Sequence, residues 1–387
     1  MPPCPRFRLL FIGLLSLKLW LGMAQYGQAQ QSEPSAAPAG PLVIGGYAQG
    51  SFVLAHTPAV KHLAVSHPVG FELNVQRQTN GSAPWHAWYR YPKIGLALVY
   101  YDYRNPVLGR SYAATVYLNK AFVRTARQEL NFRLGTGAGY FPNAYSQEVN
   151  QRINHRNNII GSHLNATIQM RLEYDVAVSE HMGVLLGVAL NHYSNGATTK
   201  PNFGINLPSV VLGLNYHQQR PFKALPISSS ERPNDIGHNF LNLSTSLGFK
   251  QRNESDPSKY VVNSVSAIIG RRINRKSNLV AGLEGFYDRS LNAQLRDAQL
   301  RDTASAGGKL PDVKKAGVLV GHELLFGRLA FVSHLGLYIY NPYKSNKFYY
   351  ERLGLKYQFT NLLFGSVDLK VHRGSADVIE WRLGVKI

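Results

Sequence analysis

The sequence predicts an all-β fold: an antiparallel transmembrane β-barrel of the outer-membrane type, with about 14 strands and bounds of roughly 12 and 16. Three observations lead there. Apolar and polar residues alternate with period two through segments of about ten residues. The chain opens like a secretory signal. Its composition is rich in Tyr (22), Phe (17) and Gly (35) and poor in charge (17%), and helix-period patterns are hard to find.

The alternation is clearest in two places. From Ala166 to Val178 the even positions (Ile168, Met170, Leu172, Tyr174, Val176) are apolar or aromatic, while Thr167, Gln169, Arg171, Glu173 and Asp175 are polar. At the carboxyl end Ile379, Trp381, Leu383, Val385 and Ile387 oppose Glu380, Arg382, Gly384 and Lys386. In a barrel the apolar face meets lipid and the charged face meets the lumen. Candidate strands begin near 42, 67, 93, 110, 129, 164, 183, 209, 238, 259, 278, 316, 329, 347, 361 and 376. The polar stretches 141–160, 218–237 and 289–314 read as loops. The last repeats Ala-Gln-Leu-Arg-Asp at Ala293 and Ala298, as a short helix or a surface loop.

The amino terminus supports secretion. Arg6 and Arg8 precede an apolar run from Leu9 to Met23, with small residues at Ala24 and Ala29, so residues 1–24 read as a cleaved signal and 25–40 as a flexible leader. The run is interrupted by Lys18 and falls short of the ~20 apolar residues of a membrane-spanning helix. The chain's single cysteine, Cys4, leaves with the signal, so neither disulfides nor thiolate metal sites serve the mature protein. Loss of Arg6, Arg8 and Lys18 lowers the formal charge from +20 to about +17. A secreted chain does not meet chromosomal DNA, so the anionic partner to expect is a phosphate-bearing membrane surface rather than nucleic acid.

Chemistry concentrates at His192-Tyr193-Ser194-Asn195-Gly196. On an extended chain His192 and Ser194 share a face, and that face continues the apolar positions Val184, Leu186, Val188 and Leu190. A base and a nucleophile would therefore sit on the lipid side of the wall. Neutral imidazole can take the serine proton during attack on an ester and return it to the leaving alcohol. The carboxamide of Asn195 and the backbone N–H groups of Gly196 and Ala197 are placed to donate to the oxyanion. His-x-Ser also occurs by chance, and Ser-Asn-Gly is ordinary turn chemistry at a strand end. His67, His86, His155, His163, His322 and His334 show no metal-ligand spacing and read as lumen or loop residues. No phosphate loop, Gly-x-Ser-x-Gly elbow or zinc-protease motif is present.

The stretch from His192 to Asn206, with His-x-Ser-Asn, Pro201-Asn202 and Gly204-Ile205, resembles the lipid A 3-O-deacylase (PagL-type) or acyloxyacyl hydrolase family of Gram-negative outer membranes. The likeness reaches upstream through Gln78-Thr-Asn-Gly81, Trp85, Tyr91-Pro92 and Gly161-Ser162. It implies an esterase acting on lipid A without cofactor or metal, with Ser194 as nucleophile, His192 as general base and Asn195 at the oxyanion hole, to which the turn reading adds Ala197. Its third triad member is a Glu fourteen residues after the His; here that position is Asn206, which orients an imidazole without contributing a full charge. The resemblance spans residues 41–217 and implies eight strands. Residues 218–387 then either widen the barrel or follow it as additional strands and loops. A second reading stays open beside the esterase: a pore or structural barrel whose charged inner faces line a wide, wet lumen.

Overall fold

The computed structural model describes residues 40–146, 154–220, 222, 236–301, 311–344 and 348–387. The expected signal (1–24) and all of the leader except Gly40 lie outside them. The first eight strands are Leu42–Ser51 (β1), Val69–Gln78 (β2), Lys93–Asp102 (β3), Arg110–Arg124 (β4), Gln128–Tyr140 (β5), Leu164–Ala177 (β6), Met182–Ser194 (β7) and Ile205–His217 (β8). The second eight are Asn239–Gln251 (β9), Lys259–Asn274 (β10), Ser277–Asp288 (β11), Lys315–Phe326 (β12), Leu329–Tyr340 (β13), Tyr349–Gln358 (β14), Leu363–His372 (β15) and Ser375–Lys386 (β16). All neighbours are antiparallel. The predicted class holds, and the strands among the described residues number 16, at the upper bound of the expectation.

They do not form one wide barrel. β1 to β8 close on themselves, and so do β9 to β16. The reason is a used edge: β8 pairs along β1 from Val43↔His217 to Ser51↔Ser209, which leaves β9 no free strand to extend. β16 closes on β9 in the same way, from Glu380↔Gly248 to Lys386↔Asn242. Each wall alternates as the sequence does. Leu73, Leu98, Leu186, Val188, Ile269 and Trp381 are exposed on the outside, as lipid-facing positions require.

The interiors correct the expectation of a wide, wet lumen. Eight strands leave room only for side chains, and paired charges fill it. In the first barrel buried Glu72 is gripped by Arg133 at 2.5 Å and by Arg171, and Arg133 also lies 3.5 Å from the centre of the Tyr117 ring. In the second, buried Arg352 reaches Glu284 at 2.6 Å and Glu380 at 3.1 Å, while Arg382 binds Asp368 at 2.9 Å. A charge stripped of water is tolerated only with a partner of this kind.

Helices occur in the connections, one of them at the repeat for which the sequence offered a short helix or a loop. A short helix, Pro84–Trp88 (α1), follows β2, and Arg289–Arg301 (α2) takes up the first Ala-Gln-Leu-Arg-Asp repeat and part of the second. His334 is buried in the second lumen, whereas His322 departs from its expected place: it stands opposite Leu279 on the outward side of β12. Among the described residues no helix is long and apolar enough to cross a membrane.

Two seams join the barrels. At one end Tyr89 stacks on Phe326 at 4.5 Å and donates its hydroxyl to Leu325 O at 2.9 Å. At the other, the connection from β7 to β8 meets the start of the β9–β10 turn, where Gln251 N–H donates to Ala197 O at 3.0 Å.

Candidate active site

Strand parity decides where the candidate residues point. On β7 Asn191 and Tyr193 are fully buried inside the barrel, so His192 and Ser194 face outward, half-buried. Their cross-strand partners on β6 are Ile168 and Ala166, which belong to the lipid-facing set.

Ser194 lies at the mouth of a tight turn. Its Oγ receives two donors, Asn202 Nδ2 at 2.8 Å and the backbone N–H of Gly196 at 3.2 Å. Gly196 (φ 61°) and Ala197 (φ 68°) are both left-handed, which curls the chain back over the serine. Gly204 (φ 76°) closes the far side. A Cβ there would stand 3.0 Å from His192 Cε1 and 3.4 Å from Ser194 Cβ, so the two side chains converge on one spot that only glycine leaves open.

The histidine is oriented by a chain of hydrogen bonds whose direction can be read. His192 Nδ1 lies 2.8 Å from Asn206 Oδ1, an acceptor, so Nδ1 carries the hydrogen and Nε2 keeps its lone pair. Asn206 Nδ2 faces His56 Nδ1 at 3.2 Å, and His56 Nε2 faces Phe203 O at 3.1 Å. With its hydrogen on Nε2, His56 donates to Phe203 O and leaves Nδ1 to accept from Asn206, which accepts in turn from His192; the other tautomer would turn Nδ1–H toward Leu54 O at 3.3 Å and lose the Asn206 donor. His56 therefore fixes which way the Asn206 carboxamide points. Sequence reasoning missed it, since 136 residues separate it from His192 and no spacing marks it.

The other predicted donor is engaged elsewhere. Both hydrogens of the Asn195 carboxamide have acceptors within the first barrel, Ser162 Oγ at 2.9 Å and Thr199 O at 3.0 Å. Asn202, inside the resemblance but given no role by the sequence, holds the place beside Ser194. Ala197 offers its carbonyl to the second barrel. The β5–β6 connection supports the loop from below: Phe203 N–H donates to Asn158 O at 3.2 Å and Gly204 N–H to Ile159 O at 2.9 Å. Gly161 is required there, because a Cβ would strike the Pro201 and Thr199 carbonyls. In the same loop, desolvation pushes the Lys200 ammonium below its ordinary value; Lys250 adds repulsion and Asp377 opposes it.

A trench leads away from the serine. Ser194 pairs with Ala166, Ala166 with Ala138, and Ala138 with Ala114, all outward and all small. Leu164, Tyr140 and Tyr112 stand along one side, and Ile168, Thr136 and Val116 along the other. An open apolar depression of about 840 Å³ begins at Leu164, Ala138 and Ala114 and runs on over Leu98 and Leu73; Ala166, His192 and Ser194 do not line it.

Two family models match the chain: "Lipid A 3-O-deacylase (PagL)" over residues 69–215 and "Acyloxyacyl hydrolase, C-terminal domain" over residues 239–387. The chain belongs to the PagL family. The second match takes in the strands that the sequence resemblance left uncovered, and the family places the chain among outer-membrane hydrolases of lipid A. No curated protein matches. Solved structures with similarity include Neisserial surface protein A (11% identity, TM-score 0.32, 46% of this chain and 99% of that one). The outer-membrane enzyme PagL follows at 16% identity and TM-score 0.28, over 44% of this chain and 97% of that one. The Acinetobacter baumannii outer-membrane protein Omp33 aligns over 90% and 98% at 9% identity and TM-score 0.17.

Proposed function

We propose that the protein is an outer-membrane esterase that releases one ester-linked acyl chain of lipid A by Ser-His nucleophilic catalysis, in the manner of a 3-O-deacylase. The observation that carries this reading is an outward-facing serine with two donors already at its Oγ, beside a histidine whose tautomer leaves Nε2 free to accept.

In the first step His192 Nε2 takes the Ser194 proton as Oγ attacks the acyl carbonyl. The carbonyl oxygen becomes an oxyanion next to Gly196 N–H and Asn202 Nδ2, which turn from the hydroxyl to the new charge. His192 then protonates the departing sugar oxygen, leaving an acyl-serine. Water, deprotonated by the same Nε2, hydrolyses it to the free fatty acid and restores Ser194. Asn206 keeps the imidazole in register and stabilises its charged form less than a carboxylate would. Asn195 and Ala197, expected at the oxyanion hole, serve in this reading by shaping the turn that presents Gly196. The alanine trench receives the acyl chain while it is still among lipid tails. The amino-terminal segment directs export and is removed.

Mass spectrometry of lipid A from cells expressing wild type, Ser194→Ala and His192→Ala tests this. Wild type should shorten lipid A by one acyl group, and each variant should lose activity by at least about a thousandfold while still giving a folded, heat-modifiable barrel. An equally active Ser194→Ala variant would refute the nucleophile.

A further inference from the structure

The loop from Asn195 to Gly204 has two flanks, and one belongs to the second barrel. Gln251, the last residue of β9, donates its backbone N–H to Ala197 O at 3.0 Å and accepts Lys200 N–H on its Oε1 at 3.0 Å. The Gln251 carboxamide cannot swing away, since its Nε2 is tied to Asn253 O at 2.8 Å and Asp256 O at 2.9 Å. Lys259, the first residue of β10, directs its ammonium at Thr198 O, at Thr199 Oγ1 (2.7 Å) and at Gln251 Oε1 (3.2 Å). Ile379 of β16 packs so closely on Gly196 that a Cβ there would collide with it.

These contacts fall on the residues whose backbone is least at ease. Ala197 sits in the left-handed region, which an alanine leaves unless something holds it. Here its carbonyl is held from the other barrel. Gly196 N–H, one of the two donors at Ser194, precedes that residue directly, so a relaxed Ala197 would re-aim it.

We propose that the second barrel is a brace for the catalytic turn, and that Gln251 and Lys259 are positioning residues acting through residues 197–200 on the Gly196 donor. This rests on Ser194 being the nucleophile. Acyl transfer depends steeply on such aim, and misplacement by about 1 Å can cost up to roughly a hundredfold. The brace touches the turn and not the trench, so it affects turnover rather than lipid binding.

The test uses the full chain in mixed micelles with lipid A, comparing wild type, Ser194→Ala, Lys259→Met, Lys259→Arg and Gln251→Ala. Four quantities are read: kcat and KM for acyl release, the rate at which a fluorophosphonate labels Ser194, and the folded fraction by heat-modifiability. Lys259→Met and Gln251→Ala should each lower kcat and labelling by about ten- to a hundredfold, with KM and folding unchanged. Lys259→Arg should recover most of the rate. Wild-type kcat and labelling in both Lys259→Met and Gln251→Ala, or losses that only follow the folded fraction, would overturn the brace while leaving the esterase intact. If Ser194→Ala matched wild type, both would fall.

Discussion

The two barrels are built alike and end differently. Each has eight strands, a lipid-facing apolar wall and a lumen sealed by buried ion pairs, Glu72 with Arg133 and Arg171 in one, Arg352 with Glu284 and Glu380 in the other. The last two strands of the first barrel are joined by ten residues, 195–204, and those of the second by Arg373 and Gly374 alone. The candidate nucleophile, base and orienting amide stand on the strand ends that flank the longer connection, and the connection itself carries the two donors, Gly196 and Asn202. The wall supplies parity and stiffness, while a loop folded against it supplies donors. This is the usual division of labour between a rigid scaffold and the loops it carries.

The comparison can be broken first at the walls. If the lumens are equivalent, Arg352→Met and Arg171→Met should destabilise their barrels similarly, each by about 3 kcal/mol, because each takes one charged donor from a buried carboxylate that keeps a second, Arg382 beside Glu284 and Arg133 beside Glu72. Urea midpoints in detergent would show it; a variant as stable as wild type would mean that water enters that lumen. The loop is probed by Asn202→Ala, which removes one donor from Ser194 and should lower kcat by about a hundredfold, or roughly 2.7 kcal/mol of barrier, with little change in KM. An unchanged kcat would assign the oxyanion to backbone donors alone. The smallest effect belongs to His56→Ala. Asn206 stays in place but loses its fixed orientation, so kcat should fall about three- to tenfold, the equivalent of one neutral hydrogen bond. A loss as deep as that of His192→Ala would make His56 a base in its own right.

Much of the wall is legible in the chain's own alternation. It places β1, β3, β6, β10 and β13 at their observed starts and puts Ser194 on the lipid side, because period two is a local property of the chain. The closure is not legible there. Whether β8 returns to β1 or continues to β9 depends on pairing between residues as far apart as Val43 and His217, for which alternation holds no information. The site divides in the same way. His192, Ser194 and Asn206 lie close together in the chain and share a motif. His56, Gln251 and Lys259 arrive from other loops and strand ends, and the carboxamide of Asn195 is turned toward Ser162, whose proximity only the folded β5–β6 connection creates.

The outward direction of Ser194 also sets the kind of kinetics to expect. In the proposed reaction the nucleophile on the outer wall meets its substrate by lateral diffusion in a plane, so the relevant concentration is the mole fraction of lipid A among its neighbours. Diluting the membrane with inert lipid should slow turnover, while diluting the vesicles with buffer should not.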